Sequence, residues 1–392
     1  MFFVEKGGIL VMSTRKAFQL LSLVLLLGTI ALTVFITNEQ RRSSSASATA
    51  FPHVSGIQLI DPSGHPFLLR GAQIESAFSN AHGWQRNNNV TNILNSAVFN
   101  EMSKNWHMNA IRLPLSNWIY SADPKHYLAL LDQVVQEANQ AGLYAILNLH
   151  DDDQAGSPYG ADANVPKPES ITFWKVFAAH YASNPMVIFD AFNEPHYLDG
   201  NNWLNGGGTV TGSTGKTAPI VGMQALVNTI RAAGAKQIIV IGGVKYPLIY
   251  ARKSKVELRI NDPNIVYTKH WYREIASGDP ASWDASFGYF KSRYPLFLGE
   301  WALLPNPIDN APYRCQGATM QNANQKVINF LKYMDQNQMS WTAWQFDINH
   351  LILNRTTFTP TRLDDPNHPW TCPSHNAAAG MGTVLKQHLL SL

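Results

Sequence analysis

The stretch "FDAFNEPH", residues 189–196, is an apolar run that ends in an amide, a carboxylate and a proline. The carboxylate of Glu194 is costly at the end of a buried strand unless it is hydrogen-bonded or has a titratable role. Asn193 and Pro195 allow a simpler interpretation, in which they form the turn that ends the strand. Residues at strand ends often carry functional sites, so this stretch alone does not distinguish the two interpretations. The rest of the sequence is needed for that.

Eight short β-branched or apolar runs, this stretch included, alternate with amphipathic helical segments. They are "FLLRGAQI" (from Phe67), "NAIRLPL" (Asn109), "YAILNLH" (Tyr144), "VIFDAFNEP" (Val187), "QIIVIGG" (Gln237), "IVYTKHWY" (Ile265), "LFLGEWA" (Leu296) and "WTAWQF" (Trp341). The helical segments include "YLALLDQVVQEANQAG", which ends at Gly142, and "GMQALVNTIRAAGA". Eight strands separated by helices predict an α/β fold of the (β/α)8 barrel type. No G-x-G-x-x-G follows the first run, which argues against a dinucleotide fold.

The composition indicates a large globular domain. The chain has 392 residues, 45% of them hydrophobic and 15% charged, which excludes extensive disorder. A formal charge of +3 without a dense Lys/Arg block gives no support to a nucleic-acid partner. The 11 Trp, 14 Tyr and 18 Phe residues are expected mostly in the core, and a surplus of Trp also suits platforms for the apolar faces of sugars.

The N-terminal part contains a candidate membrane segment. Residues 17–36, "AFQLLSLVLLLGTIALTVFI", carry no charge and would span roughly 30 Å as a helix, the thickness of a bilayer core. The basic residues within residues 1–16 predict a cytoplasmic N-terminus, although Arg41 and Arg42 on the other side weaken that argument.

This segment is either an uncleaved anchor or a signal peptide. "ASA", residues 46–48, resembles a cleavage site but lies far beyond the apolar run, which exceeds the usual length of about 7 to 15 residues. We therefore favour the anchor, and both fates export the rest of the chain to the extracellular side. Translation could start at Met1 or at Met12.

The exported part is divided into a linker and one domain. Residues 37–52 are small and polar and predict a flexible linker, and the globular domain is expected over residues 53–392. Cys315 and Cys372 are an even number of cysteines in an exported chain, which favours one disulfide over two free buried thiols.

Polar residues at the strand ends indicate a common site, because the active site of such a barrel is built at the carboxyl ends of its strands. These residues are Arg112, His150, Asn193, Glu194, His270, Tyr272, Glu300 and Trp344. Each alone has a structural interpretation, such as a surface ion pair or core packing. Together they would be polar groups stranded at one end of one barrel, which favours a functional site.

The two glutamates suit the hydrolysis of glycosides. One carboxyl group has to be protonated to donate to the leaving oxygen, and the other has to be ionised to attack the anomeric carbon. We expect the environments of Glu194 and Glu300 to differ accordingly.

The motifs "NAIRLP", "LNLH", "FNEP", "HWY", "GEW" and "WTAW", in this order, resemble glycoside hydrolase family 5, the cellulase family. The resemblance covers residues 53–392 and implies a retaining, endo-acting hydrolase with Glu194 as acid/base and Glu300 as nucleophile. It further implies that Asn193 holds the sugar 2-hydroxyl, that Arg112 and Tyr272 position Glu300, that His150 and His270 line the cleaved subsite, and that Trp344 forms its floor. No cofactor and no metal are implied, and a monomer acting on a polysaccharide is expected.

The chain departs from the family pattern at two places. "GAQIESA" replaces the Gly-x-Asn of many members, so Gln73 and Glu75 are expected to alter the subsite on the non-reducing side. Residues 206–217, "GGGTVTGSTGKT", are interpreted as a flexible barrel loop and not as a phosphate-binding loop, which would need Gly where Val210 stands. The whole loop 201–219 is expected to be free to reshape the cleft. Tryptophans near strand ends and in loops predict an open cleft, namely Trp84, Trp118, Trp203, Trp271 and Trp301.

The preferred activity is that of an endo-β-1,4-glucanase, with β-mannan, xylan or another β-glucan as alternative substrates. A second class is a metal-dependent barrel hydrolase with ligands His150, Asp151, Asp152, His270 and Glu300, but the His-x-His typical of such barrels after the first strand is missing. A third is a non-catalytic carbohydrate-binding protein, which would keep Trp344 but would not need both glutamates.

Overall fold

The structure, a computed structural model, describes residues 51–76, 78–87, 90–150, 156–160, 163–196, 198–244, 259–272, 275, 278–303, 322–364 and 380–392. The predicted anchor 17–36, Asp151, Asp152 and the cysteines Cys315 and Cys372 lie outside these ranges. Among the described residues, no helix is both long and apolar enough to span a membrane.

Eight parallel strands form a closed barrel, as the sequence predicts. In chain order they are β1 (Arg70–Gln73), β2 (Ala110–Leu115), β3 (Tyr144–Leu149), β4 (Val187–Asp190), β5 (Ile239–Gly242), β6 (Ile265–Trp271), β7 (Leu296–Trp301) and β8 (Ser340–Ala343). Each strand pairs with the next, and β8 closes the barrel on β1 through Trp341–Arg70, Thr342–Gly71 and Ala343–Ala72. Each strand overlaps one of the eight predicted runs, and the (β/α)8 fold is confirmed.

Helices connect the strands. The α-helices of the described residues are Ala81–Asn87, Val90–Ile93, Ser96–Asn100, Asn117–Ala122, Pro124–Gln140, Pro168–His180, Gly200–Asn205, Met223–Ala232, Pro280–Ser286, Ala323–Gln336 and Gly382–Leu390, with a π-helix at Glu101–Asn105 and a 3-10 helix at Gly288–Ser292. The helix Pro124–Gln140 begins after the cap Asp123, and Gly142 beyond its end has a φ of 88°. Gly142 therefore terminates this helix as expected, since positive φ costs glycine little.

The barrel interior has an apolar lower layer and a polar layer above it. The lower layer includes Ala110, Ile146, Ile188 and Val266. Side chains two positions apart on a strand point to the same face. The next inward positions are therefore Arg112, Asn148, Asp190 and Thr268, and all four are fully buried.

Two small antiparallel sheets accompany the barrel. The strands His53–Ser55, Gln58–Ile60 and Pro66–Phe67 precede β1, and Leu59 of this sheet packs with the lower apolar layer. Beyond β4, the strands Gly206–Thr211 and Thr217–Val221 form a hairpin. The prediction of a flexible loop over 201–219 is therefore wrong, because β-branched residues on either side of a Gly-containing turn favour paired strands.

The ion pair of Arg231 and Asp262 joins the helix Met223–Ala232 to the segment that enters β6. Nε and one terminal nitrogen of Arg231 donate to the two carboxylate oxygens at 2.7 and 3.0 Å. Burial alone would raise the pKa of Asp262, but the hydrogen bonds from Arg231, together with one from the main-chain N–H of Asn264, outweigh burial and hold the pKa below its usual value. The pair therefore contributes stability above about pH 4, the ordinary pKa of Asp, and loses it as the pH falls through the lowered pKa.

Arg231→Ala is expected to lower the free energy of unfolding by about 2 kcal/mol at pH 7, because it removes charge-assisted hydrogen bonds from a largely buried carboxylate. The deficit should shrink as the pH falls below 4. Urea unfolding measures it, with Arg362→Ala as control, because the 3.3 Å pair of Arg362 with Asp364 is half exposed and is worth at most about 1 kcal/mol. Equal losses in the two variants would contradict this assignment.

Candidate active site

Seven of the eight predicted site residues lie at or just beyond the carboxyl ends of the strands, and Arg112 lies three residues before the end of its strand. Arg112 lies within β2, His270 within β6 and Glu300 within β7. The others directly follow strands or lie in the loops that leave them, and they are His150, Asn193, Glu194, Tyr272 and Trp344. Side-chain hydrogen bonds or ion pairs join seven of the eight, all but Trp344, into one network.

A bulge in β7 sets the position of Glu300. In the pairing of β6 with β7, Lys269 faces Leu298 but His270 faces Glu300, so Gly299 is an extra residue on β7. A Cβ at Gly299 would lie 2.7 Å from Oγ1 of Thr268 and 3.0 Å from Nε2 of His270. A side chain at this position would clash with the Thr268 hydroxyl and press against the imidazole, which favours glycine.

Three donors hold the Glu300 carboxylate. Oε1 accepts from Arg112 at 2.7 Å, and Oε2 accepts from the Tyr272 hydroxyl at 2.7 Å and lies 3.2 Å from Nδ1 of His270. The Glu300 side chain is only 6% exposed. Burial alone would raise its pKa, but His270 and Arg112 outweigh burial and hold the pKa of Glu300 well below its usual range. Glu300 is therefore ionised.

The Arg112 guanidinium is the centre of the network. Its Nε donates to Asp190 at 2.9 Å, one terminal nitrogen donates to Gln73 and Glu300, and the other donates to Asn193 at 2.8 Å and lies 2.9 Å from Asp190. Burial alone would lower the pKa of Arg112, but the carboxylates of Asp190 and Glu300 raise it. The guanidinium thus ties β1, β4 and β7 together.

A chain of hydrogen bonds fixes the amide of Asn193. Its Oδ1 accepts from Arg112, so its Nδ2 is the atom that lies 3.1 Å from Nε2 of His150. Nδ1 of His150 in turn lies 2.8 Å from Oδ1 of Asn148, an acceptor, which places the ring proton on Nδ1. His150 therefore presents an acceptor nitrogen to Asn193, and the amide cannot flip without losing both bonds.

Glu194 occupies a more open position than Glu300. Its side chain is 26% exposed, and its Oε1 lies 2.7 Å from Nδ1 of His270. Nδ2 of Asn164 donates to its main-chain carbonyl at 2.8 Å. One carboxylate oxygen of Glu194 and one of Glu300 lie within 4.8 Å of each other, with His270 between the two groups. The two environments differ, as expected from the sequence.

The pKa values of His270 and Asp190 are both raised, but by different causes. For His270, burial alone would lower the pKa, but the adjacent Glu300 and Glu194 carboxylates raise it. For Asp190, burial raises the pKa, and Arg112 only partly offsets this. The two carboxylates therefore favour the protonated form of the imidazole that lies between them.

The tryptophans do not all line a cleft. Trp203, Trp271 and Trp301 are buried, and the rings of Trp271 and Trp301 pack against Phe287 and Phe330 on the helix side of the barrel. The prediction that these three residues line a cleft is wrong. Trp271 and Trp301 point away from the inward residues His270 and Glu300 that precede them, and the indole N–H of Trp203 donates to the buried main-chain carbonyl of Gly242. The remaining candidates, Trp84, Trp118 and Trp344, are half-buried.

Asp190 and Asn148 are site residues that the sequence analysis missed. Both have an inward apolar residue two positions earlier, Ile188 and Ile146, so the strand alternation could have found them. Gln73, noted only as a departure from the family pattern, is fully buried and accepts from Arg112.

The metal-dependent alternative has limited support in this geometry. Glu194, His270 and Glu300 bring three potential donor atoms together within 4.8 Å. However, both oxygens of Glu300 already accept from Arg112 and Tyr272, and both ring nitrogens of His150 are hydrogen-bonded. Asp151 and Asp152 lie outside the described residues.

Comparison with known proteins gives matches over most of the chain. A family model, Cellulase (glycosyl hydrolase family 5), matches residues 60–350. An endoglucanase of Paenibacillus polymyxa is 24% identical over 357 residues, covering 78% of this chain and 82% of that protein. Cellulase CelDZ1 of a Thermoanaerobacterium species is 24% identical over 328 residues, covering 79% and 72%.

Solved structures share the fold. A β-glucanase of Saccharophagus degradans in complex with cellotetraose is 23% identical, with a TM-score of 0.62, over 87% of this chain and 93% of that one. The catalytic domain of Thermobifida fusca endoglucanase Cel5A is 18% identical, with a TM-score of 0.58, over 89% and 98%.

Gly299→Ala is expected to displace the His270 imidazole from the carboxylates and to bring the raised pKa of His270 back toward its ordinary value of about 6.5. An NMR titration of the imidazole signals measures this change. Gly64→Ala is the matched control, because Gly64 has a φ of 89° in a turn between Asp61 and His65, so an alanine there strains the backbone far from His270. An unchanged His270 pKa in Gly299→Ala would contradict the close approach.

Proposed function

Because this chain belongs to glycosyl hydrolase family 5, we propose that it is a retaining, endo-acting β-1,4-glucanase with Glu300 as nucleophile and Glu194 as acid/base. The observation that carries the proposal is that one carboxylate oxygen of Glu194 and one of Glu300 lie within 4.8 Å of each other. Retaining glycosidases separate these groups by about 5 to 5.5 Å, whereas inverting enzymes need about 6.5 to 9.5 Å to admit a water between them.

The first step forms a glycosyl-enzyme. An oxygen of Glu300 attacks the anomeric carbon while the bond from that carbon to the glycosidic oxygen breaks, and Glu194 gives its proton to the departing oxygen. The sugar is then an ester of Glu300, and Glu194 is ionised. The low pKa of Glu300 supports its role, since a nucleophile has to be unprotonated at the start.

The second step releases the sugar. Glu194 takes a proton from a water, the water oxygen bonds to the anomeric carbon, and the bond to Glu300 breaks. Glu194 and Glu300 return to their first charge states, and two inversions give net retention. The greater exposure of Glu194 supports this role, because the leaving group and the water both have to reach it.

The remaining residues have supporting roles in this proposal. Arg112 and Tyr272 keep Glu300 ionised and aimed, and His270 contacts both carboxylates. Asn193, whose amide is fixed by Arg112 and His150, would donate to the sugar 2-hydroxyl. Trp344 would support the sugar ring from the end of β8. A binding protein without catalysis would not need two such differently held carboxylates.

The substrate class is inferred from the relatives, which are an endoglucanase and a cellulase, and from the neighbour that holds cellotetraose. Gln73 is engaged with Arg112, and Glu75 follows it at the end of β1, so the non-reducing side differs from the Gly-x-Asn pattern. Mannan and xylan are therefore the alternatives that the substrate test has to include.

We propose that the protein acts outside the cell, held by residues 17–36 or released by cleavage after them, with Cys315 and Cys372 paired. The apolar run, the linker 37–52 and the even cysteine number support this proposal. N-terminal sequencing of the mature protein and titration of its thiols test it, and two reactive thiols in the native protein would exclude the disulfide.

The endo assignment predicts that the viscosity of soluble cellulose derivatives falls well before reducing ends accumulate. Barley β-glucan, mannan and xylan are assayed in parallel, and product lengths are followed over time. Single sugars released from chain ends at the start would exclude endo action, and turnover of mannan or xylan alone would exclude the glucanase assignment.

The proposed roles of the glutamates predict different defects. Glu300→Ala should abolish turnover but still couple a glycosyl fluoride of inverted configuration, which mimics the missing intermediate. The formation of longer oligosaccharides measures this coupling. Glu194→Ala should still cleave substrates whose leaving groups need no proton, and azide should restore turnover with retained configuration.

Glu137→Ala, on the helix Pro124–Gln140, is the control and should behave as wild type. Exchange of the two behaviours would reverse the roles, and ordinary polymer activity in either variant would exclude the two-carboxylate mechanism.

A further inference from the structure

Asp190 is a buried carboxylate to which the proposed mechanism gives no role. It is the last residue of β4, its side chain has no solvent exposure, and it lies in the polar layer of the barrel interior. An ionised carboxylate in such a place is costly unless it is paired. Asn193 and Glu194 follow this strand directly, three and four residues after Asp190.

The only cation in direct contact with Asp190 among the described residues is Arg112. Oδ2 of Asp190 lies 2.9 Å from both Nε and one terminal nitrogen of Arg112, whereas the other terminal nitrogen donates to Glu300 at 2.7 Å. The guanidinium group is planar and rigid, so fixing its Nε edge also fixes the direction of its other N–H groups.

We propose that Asp190 is a positioning residue that orients Arg112, and through it the nucleophile Glu300 and the amide of Asn193. This inference rests on the proposed function of the site. The contact at Nε leaves one terminal nitrogen to Glu300 and directs the other to Asn193, so a single buried carboxylate sets the orientation of two groups that would touch the sugar.

The charge of Asp190 has a second consequence. Glu300 loses its negative charge when it bonds to the anomeric carbon, so a cation that holds the ionised form too strongly slows the attack. The Asp190 carboxylate partly neutralises the charge of Arg112 and so weakens the stabilisation of ionised Glu300. Asp190→Asn keeps the shape and one acceptor oxygen but removes the negative charge. Asp190→Ala also removes the acceptor that orients Arg112.

A purely structural role has a matched comparison elsewhere in the chain. Asp262 forms a similar two-donor ion pair with Arg231, its side chain is only 8% exposed, and it lies before β6, at the opposite end of the strand from His270. Asp262→Asn therefore controls for the loss of a largely buried Arg–Asp pair without a contact to the site.

The experiment measures the rate at which a 2-deoxy-2-fluoro-β-cellobioside with an activated leaving group labels Glu300, detected by mass spectrometry. This rate reports attack by the nucleophile and needs no proton from Glu194. We expect labelling and kcat to fall about 100-fold in Asp190→Ala, the size of effect that a misplaced catalytic group produces, and about 10-fold in Asp190→Asn, with KM changed by less than threefold. Asp262→Asn should lower the melting temperature and leave labelling unchanged.

Wild-type labelling rates in a folded Asp190→Asn variant would overturn the positioning role, as would losses matched by those of Asp262→Asn. If Asp190→Ala does not fold, the isosteric Asp190→Asn decides alone. If the wild-type protein is labelled elsewhere than at Glu300, or not at all, the proposed function fails instead, so the two failures are distinguishable.

Discussion

The buried guanidinium of Arg112 is the constraint on which the site depends. It has no solvent exposure and cannot lose its proton, so its N–H groups need acceptors inside the barrel. Asp190, Asn193, Gln73 and Glu300 supply them. Because these acceptors come from β1, from β4 and the turn after it, and from β7, the cation fixes the relative placement of strands that are distant in sequence. A change in the position of one of these strands therefore changes the position of the Glu300 carboxylate.

The barrel can carry this polar layer because the layer below it is apolar. Ile146, Ile188 and Val266 fill the lower interior, and the positions two residues further along β3, β4 and β6 carry Asn148, Asp190 and Thr268. Water is excluded from below, and the charges of Arg112 and its partners act on one another with little screening. The low pKa of Glu300 is a direct result of this arrangement.

The sequence predicts the barrel well because a parallel strand buried on both faces is a short apolar run, and eight such runs are separated by helices. The sequence also predicts the polar residues at the strand ends, because they stand out at the ends of these apolar runs. It does not predict the bulge at Gly299, which depends on how β7 pairs with β6, nor the pairing of the hairpin beyond β4. In "HW" and "GEW" the polar residue faces the interior and the tryptophan faces the helices, so aromatic content alone gives the wrong location for Trp271 and Trp301.

His270 links the two proposed steps through charge. Its Nδ1 lies 2.7 Å from Glu194 and 3.2 Å from Glu300, so it contacts both carboxylates at once. In the proposed cycle Glu300 is ionised before attack and neutral as an ester, whereas Glu194 is protonated before attack and ionised afterwards. The negative charge thus moves from one neighbour of the imidazole to the other, and the imidazole faces one carboxylate charge in both states. A protonated His270 therefore stabilises the start and the end of the first step by similar amounts, and its electrostatic contribution does not hold the enzyme in either state.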